Sequence, residues 1–222
     1  MRDAAIALFA KAPVPGFVKT RLCPPLTHED AARIARASLE DTARFLVPEV
    51  PASWTLFLDG EPDPGLLGLA EEAGLPILPQ RGATLGERLK AAFRELRSRG
   101  ASRVLAIGSD APTLNPERIH EAIESLEICD VTLGPTEDGG YYLIGTSGEH
   151  ERIFDEIPWG SGAAAAVTLE RARGLRLEVR LLQPWYDLDD TASLRRAYEA
   201  APKGWALREV LEEVGERLAG GE

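Results

Sequence analysis

AAIALFA, residues 4–10, is an unbroken apolar run, and KAPVPGFVKTRL, residues 11–22, follows it at once. A short continuous apolar run is the pattern of a strand buried on both faces of a sheet. It is too short for a secretory signal. Asp3 also stands where such a signal carries basic residues, and Lys11 ends the run abruptly. The next segment turns through Pro13, Pro15 and Gly16 and then presents Lys19 and Arg21 ahead of a helical pattern. Strand, tight loop, cations, helix is an order that presents positive side chains and free backbone N–H groups to an anion.

Working outward, TLFLD (55–59), PILPQ (76–80), RVLAIGSD (103–110), DVTLGP (130–135), YYLIG (141–145) and LEVRLL (177–182) are further strand candidates. Helical patterns fill 27–47, 84–99, 115–127, 161–173, 191–199 and 204–218. In the first, Ala31, Ala35, Leu39, Ala43 and Leu46 recur at spacings of three and four, and Thr27 with Asp30 makes a capping-box pattern. Asn115 is placed to cap, with Pro116 at the first helical position. This alternation predicts an α/β fold with a largely parallel sheet. Residues 130–145 break it, because two strands follow one another across PTEDGG, which predicts an antiparallel member or a hairpin-like excursion. Gly60–Gly65, with Pro62 and Pro64, reads as the most loop-like stretch and is too short to divide domains, so residues 1–222 are expected to form one domain.

The composition narrows function. With 25 basic and 36 acidic residues the formal charge is −11, which argues against a general binder of nucleic acid or anionic membrane. The charge is uneven. Residues 1–22 hold four basic and one acidic residue, a net of +3; the other 200 hold 21 and 35, a net of −14. Anion-binding capacity is therefore concentrated in one loop. Cys23 and Cys129 lie far apart with no CxxC, and His28, His120 and His150 stand alone, so neither a disulfide framework nor a thiolate or histidine metal site is expected. No run approaches the ~18 apolar residues of a membrane span. A cytoplasmic protein is expected.

In open α/β sheets, ligands collect at the carboxyl ends of the strands. Lys19 in the first loop is a near miss for a Walker lysine, since Pro13 and Val18 stand where that motif needs glycine, and GxGxxG is absent. GSDAPTLNPE (108–117) places Asp110 after a strand, and WYDLDDTASL (185–194) places Asp187, Asp189 and Asp190 after another. In extended backbone Asp187 and Asp189 point the same way, and Asp190 points away or caps the helix beginning at Thr191. Such carboxylates suit a hard cation that takes one or two carboxylates plus substrate phosphates. In GPTEDGGYYLIG (134–145), glycines permit close approach of a ligand beside Glu137 and Asp138. QRGATLGERL (80–89) offers polar groups and two glycines where a base or ribose could be read.

Taken in order, FAKAPVPGFVKTRL, QRGATLGERL, GSDAPTL, GPTEDGGYYLIG, PWGSG and DLDDTASL resemble a bacterial GT-A-fold glycosyltransferase-like family, the radical-SAM/selenodomain-associated transferases, over roughly residues 5–200. The KTRL and D-x-D segments are more distantly similar to 2-phospholactate and molybdenum-cofactor guanylyltransferases. The resemblance implies a three-layer α/β/α nucleotide-diphospho-sugar-transferase-like domain with a mostly parallel mixed sheet. It implies Mg2+ or Mn2+ on Asp110 and Asp189, with Asp187 assisting, and a nucleotide against Ala10, Lys11, Gly16, Lys19, Arg21, Gln80 and Gly86. Lys19 and Arg21 would face the phosphates. Gly139, Gly140, Tyr141 and Trp159 would line the acceptor side, and Asp138 is the candidate base by position. The chain departs from the family at Thr84, at Ala111 and at Trp159–Gly160–Ser161, where Trp-Ser-Thr is usual.

The expected partners are a nucleotide or nucleotide-sugar donor and a small acceptor. Attack at a sugar carbon would release a nucleoside diphosphate. Attack at an α-phosphorus would release pyrophosphate. The family's usual naming favours the first, and the multi-cation loop suits the second. The altered Trp159–Ser161 segment leaves open a nucleotide-binding protein without turnover.

Overall fold

A computed structural model describes residues 3–219. Seven strands, β1 (Ala4–Lys11), β2 (Ser53–Asp59), β3 (Ile77–Pro79), β4 (Arg103–Gly108), β5 (Val131–Pro135), β6 (Tyr141–Thr146) and β7 (Val179–Leu181), form one sheet in the order β3-β2-β1-β4-β6-β5-β7. All pairings are parallel except those of β6, which runs antiparallel between β4 and β5. The expected break at 130–145 is therefore a hairpin whose second strand is inserted into the sheet.

Helices cover both faces. They are α1 (His28–Asp41), α2 (Pro64–Glu72), α3 (Leu85–Ser98), α4 (Pro116–Ser125), α5 (Ala164–Gly174), α6 (Thr191–Ala200) and α7 (Ala206–Ala219). Strand β1 shows how the layers arise. Ile6, Leu8 and Ala10 point to one core with Leu39, Leu66 and Ile119. Ala5 and Ala7, on the opposite face, meet Leu89, Phe93 and Ala165. That alternation is the period-two geometry of a strand buried on both sides. A third cluster, with Ile34, Leu188, Leu194 and Leu211, packs α6 and α7 onto α1. This is the three-layer, mostly parallel architecture expected from the resemblance.

The caps follow the sequence closely. Thr27 and Asp30 make a reciprocal capping box, and Asn115 caps α4 ahead of Pro116. The loop reading of 60–65 is corrected in part. Asp63 caps α2 by accepting from Leu66 N, and Pro64 opens the helix. Proline at the first helical position costs no hydrogen bond, so Asp63–Pro64 is a helix start rather than a continuation of the loop. The helical pattern of 27–47 ends differently from expectation, as a π-helical turn over Thr42–Leu46.

Asp41 joins α1 to α7. It is 1% exposed and accepts hydrogen bonds from the backbone N–H groups of Ala206 and Leu207, at the amino end of α7. Burial pushes its carboxyl up to about 6, against the pull of those two N–H groups. The folded pKa lies above the unfolded value of ~3.9, so this stability is present at acid pH and lost as pH rises through about 6. Comparing wild type with Asp41→Asn, the stability difference is expected to move against wild type by about 2–3 kcal/mol between pH 4 and 7. Urea unfolding at the two pH values measures it. A difference flat to within ~0.5 kcal/mol would show that Asp41 does not titrate as described.

Candidate functional site

The strand order reverses at β1, whose chain neighbour β2 lies on one side and β4 on the other. The crevice beyond the carboxyl ends at such a reversal is the natural ligand site of an open α/β sheet. A cleft of about 620 Å³ opens there, with Ala10, Lys11, Lys19, Arg21, Gln80 and Asp110 in its lining. A second cleft, of about 450 Å³, lies beside it beyond β5, with Asp138, Asp187 and Tyr186 in its wall. Arg21 and Asp189 line both.

The two acidic segments are brought together by the backbone. Leu188, fully buried, donates its N–H to the Asp110 carbonyl at 3.1 Å. The hydroxyls of Thr113 and Tyr186 meet at 3.0 Å, and Trp185 pairs with the end of β5 through its N–H to the Pro135 carbonyl. Leu188 thus points inward and its two aspartate neighbours flank the cleft. Asp190 instead caps α6 in a reciprocal box with Ser193, one of the two alternatives left by the sequence.

Lys19 occupies the centre of this acidity. Its side chain is 4% exposed, and Nζ lies 3.0 Å from Asp110 Oδ1 and 3.2 Å from Asp189 Oδ1. Burial works against the ammonium, but the charges of Asp110 and Asp189 overcome it and hold its pKa above the ordinary value. The backbone reaches this position with Lys19 at φ 49°, ψ 34°, a left-handed conformation that costs a non-glycine residue roughly 1–2 kcal/mol. Strain of this kind gathers at functional sites. Arg21 is far more exposed and reaches Asp189 Oδ2 at 3.2 Å. Of the two cations, Arg21 is the one open to both clefts, while Lys19 is the resident counter-ion of the aspartates.

Asp187 sits deepest among the carboxylates. Burial, then the charge of Asp110, pushes its carboxyl up to about 7 against the attraction of Lys19. This is negative charge that the neighbouring ammonium does not fully offset. Among the described residues no group of three or more His, Cys, Asp or Glu side chains converges as a metal cage. The donor set instead fits a cation such as Mg2+, which is held through one or two carboxylates and completed by substrate phosphates and water. Asp110 and Asp189 are the pair that would hold such a cation.

Asp138 behaves differently from Asp187. Its Oδ1 accepts from the Thr136 hydroxyl at 2.5 Å and the Gly140 N–H at 3.0 Å. The Thr136 bond, with Arg21 nearby, holds its carboxyl below the usual range. It is ionised at neutral pH and a weak proton acceptor, so its position suits orientation better than proton transfer.

The remaining sequence candidates separate. Gln80 is a wall of the first cleft, with Nε2 donating to the carbonyls of Ala10 and Phe57, both at 2.9 Å. Gly16 takes φ +82° at an exposed turn away from the cleft lining. Gly86 is a packing residue: a Cβ there would come within 2.7 Å of the Phe154 carbonyl and 3.2 Å of Trp159. Tyr141 and Trp159 stack edge to face in the core shared with α3 and α5, and neither is in the lining of these two clefts. Gly139, at φ +86°, packs on Gly162, where a Cβ would fall 1.9 Å from its carbonyl oxygen. Gly140 ties the hairpin through its bond to Asp138. The sequence reading missed Asp59, Arg88 and Arg196. Asp59 is the last residue of β2, the position where ligand chemistry is sought, and its ion pair with Arg88 lines the first cleft. Arg196 binds Glu137 through both carboxylate oxygens and lies 4.0 Å over the Tyr186 ring in the second.

Both cysteines are free, and no described helix is long and apolar enough to cross a membrane. Known proteins resemble this chain in both sequence and fold. The family described as "Uncharacterized protein conserved in bacteria (DUF2064)" matches residues 42–161. A phosphoenolpyruvate guanylyltransferase of Chloroflexus aggregans is 26% identical over 192 residues, 85% of this chain and 90% of that protein. A crystal structure from Desulfovibrio desulfuricans, described as a "putative nucleotide-diphospho-sugar transferase", superimposes with a TM-score of 0.88 at 29% identity, over 99% of this chain and 98% of that one. A 4-diphosphocytidyl-2C-methyl-D-erythritol synthase of Anaerococcus prevotii, 12% identical, shares the fold with a TM-score of 0.57 over 88% of this chain and 95% of its own.

Proposed function

The chain belongs to the DUF2064 family, and from that premise we propose that it is a metal-dependent nucleotidyltransferase joining a nucleoside triphosphate to a small acceptor. The observation that carries this reading is the pair of clefts meeting at Arg21 and Asp189. A transferase needs two binding volumes with the reacting atoms at their junction, and catalysis then consists largely of positioning and electrostatic stabilisation. The Chloroflexus relative, named for guanylyl transfer, supports nucleotidyl rather than glycosyl chemistry.

In the reaction, an acceptor oxygen from the second cleft attacks the α-phosphorus in the first, and a hydroxyl acceptor passes its proton to water in that open cleft. A P–O bond to the acceptor forms, the bond to the bridging oxygen breaks, and pyrophosphate leaves. Arg21 faces the negative charge that accumulates on the phosphates. Lys19 holds Asp110 and Asp189 in place and limits their mutual repulsion. Mg2+ or Mn2+ on Asp110 and Asp189 would supply charge neutralisation at the phosphate oxygens. Asp138, ionised, orients the acceptor.

The Desulfovibrio structure's description favours a second reading, glycosyl transfer from a nucleotide sugar. Products distinguish them. With Mg2+, a panel of triphosphates and candidate acceptors is expected to yield pyrophosphate. Release of a nucleoside diphosphate from a nucleotide sugar, without pyrophosphate from any triphosphate, would replace this reading with the second.

A further inference from the structure

We infer that the first cleft selects guanine, and that Asp59, braced by Arg88, is the residue that selects it; this rests on the nucleotidyltransferase reading. The cleft has two chemically distinct ends. Lys19, Arg21 and Asp110 lie at the β4 side, where phosphates and a cation belong. Asp59, Gln80 and Arg88 lie at the β2 and β3 side. The order β2-β1-β4 puts the two ends two strand spacings apart, about 10 Å. A nucleotide with its phosphates at the first end therefore brings its base to the second.

The second end is rigid. Arg88 donates Nη1 to Asp59 Oδ2 at 2.6 Å and to Gln80 Oε1 at 3.3 Å, and Nε to the Gly82 carbonyl at 3.1 Å. Gln80 is itself held by the Ala10 and Phe57 carbonyls. The Asp59 carbonyl accepts from Ala12 N at 2.8 Å. Gly60 beside it, at φ +109°, packs so closely that a Cβ added there would lie 2.9 Å from the Ala12 Cβ. Asp59 nevertheless keeps its side chain 36% exposed to the cleft, and among the described residues its hydrogen bond to Arg88 uses Oδ2, leaving Oδ1 toward the cleft.

A fixed carboxylate accepts two parallel N–H bonds. Guanine presents such a pair, N1–H beside the N2 amino group, with O6 next to them to accept from the Nη2 group of Arg88. Adenine and cytosine offer one amino donor beside a ring-nitrogen lone pair, which the carboxylate repels. Uracil offers one N–H flanked by two carbonyl oxygens. Only guanine satisfies both oxygens without placing a lone pair against them, and a polar group prepared for a donor rejects a ligand that lacks it.

Calorimetric binding of GTP, ITP, ATP, CTP, UTP and 2′-deoxy-GTP to the full chain with Mg2+ tests this. Wild type is expected to bind GTP at least tenfold more tightly than ITP, which lacks the N2 amino group, and than ATP, CTP and UTP. Asp59→Asn is expected to weaken GTP by roughly 10- to 100-fold, the worth of a bidentate base contact, and to bring GTP level with ITP while ATP changes less than threefold. The GTP/ITP comparison needs no variant and so does not depend on how Asp59→Asn folds. Equal affinity for all triphosphates, or a loss in Asp59→Asn shared by every ribonucleotide but not by 2′-deoxy-GTP, would overturn the base assignment and leave the nucleotidyltransferase reading standing. Failure of every triphosphate to bind would overturn both.

Discussion

Replacing Lys19 with methionine is expected to lower the melting temperature by roughly 4–8 °C, and Mg2+ is expected to restore much of that loss. The substitution keeps the buried stem and removes the charge. Lys19 Nζ lies within 3.2 Å of both Asp110 and Asp189, with its side chain 4% exposed. Removing one partner of a fully buried ion pair costs about 3–5 kcal/mol, but Asp110 and Asp189 are 48% and 38% exposed, so water screens the charges left behind and about 2 kcal/mol is expected. For a chain of this size each kcal/mol corresponds to roughly 2–4 °C. Arg21 offsets the loss only at Asp189, and as an exposed partner it contributes at most about 1 kcal/mol. A divalent cation bound by the freed carboxylates supplies the missing charge and stabilises the fold by mass action. The Mg2+-induced rise should therefore be larger in Lys19→Met than in wild type. Thermal melts of both proteins, with Mg2+ and with a chelator, are sufficient. A melting point within about 2 °C of wild type would show that Lys19 does not hold the cluster together. Identical Mg2+ responses would show that Asp110 and Asp189 do not form a cation site.

The resident position of Lys19 marks how far the sequence could be read. The strands and helices were legible because each has its own local signal. The apolar run at 4–10, the capping box at Thr27–Asp30 and the Asn115–Pro116 start all reappear in the structure. The carboxylates of Asp110, Asp187 and Asp189 were legible as residues that follow strands. What they face was not. Lys19 reads in sequence as a phosphate-binding lysine at the end of a glycine turn, and only tertiary structure turns it toward Asp110 and Asp189, far along the chain. Likewise Tyr141 stands beside Asp138 and Gly139 in a polar, glycine-rich segment, yet strand alternation sends its ring to the core side. Asp59 and Arg88 were missed for the complementary reason. Each is an ordinary residue in its own element, and their joint meaning comes from a contact 29 positions long. Sequence position identified which strand ends carry chemistry, whereas the pairing of charges across them depends on side-chain direction.

The uneven distribution of charge has the same explanation. Arg21 and Lys19 sit in the basic amino-terminal segment, while Asp110, Asp187 and Asp189 come from the acidic remainder. Folding brings the two together at one junction, so the overall charge of −11 is compatible with an anionic donor. Charge near the reacting atoms, rather than net charge, sets what the cleft can hold.

That junction is the basis for the second large effect. Asp189→Asn is expected to reduce turnover by about 10²–10³-fold while leaving the melting temperature within a few degrees of wild type. Asp189 is the carboxylate shared by both clefts, and it contacts both cations. Losing its charge weakens the cation pair with Asp110 and releases Arg21 from its fixed position, both at the point where charge develops on the phosphates. The effect should therefore fall on kcat more than on KM, as for an interaction made mainly in the transition state. Stability responds differently. The ion pair with Arg21 is solvent-accessible and worth little. Lys19 keeps Asp110 at 3.0 Å, and one of the charges crowding Asp187 is gone. Steady-state kinetics of pyrophosphate release, paired with thermal melts, reads both quantities. If turnover and stability fell together, Asp189 would be a structural residue of the loop and the junction would lie elsewhere. If turnover fell with the fold intact, Asp189 would be placed between donor and acceptor, and adding Arg21→Ala to Asp189→Asn should then cost less than the two single losses combined, because each residue acts partly through the other.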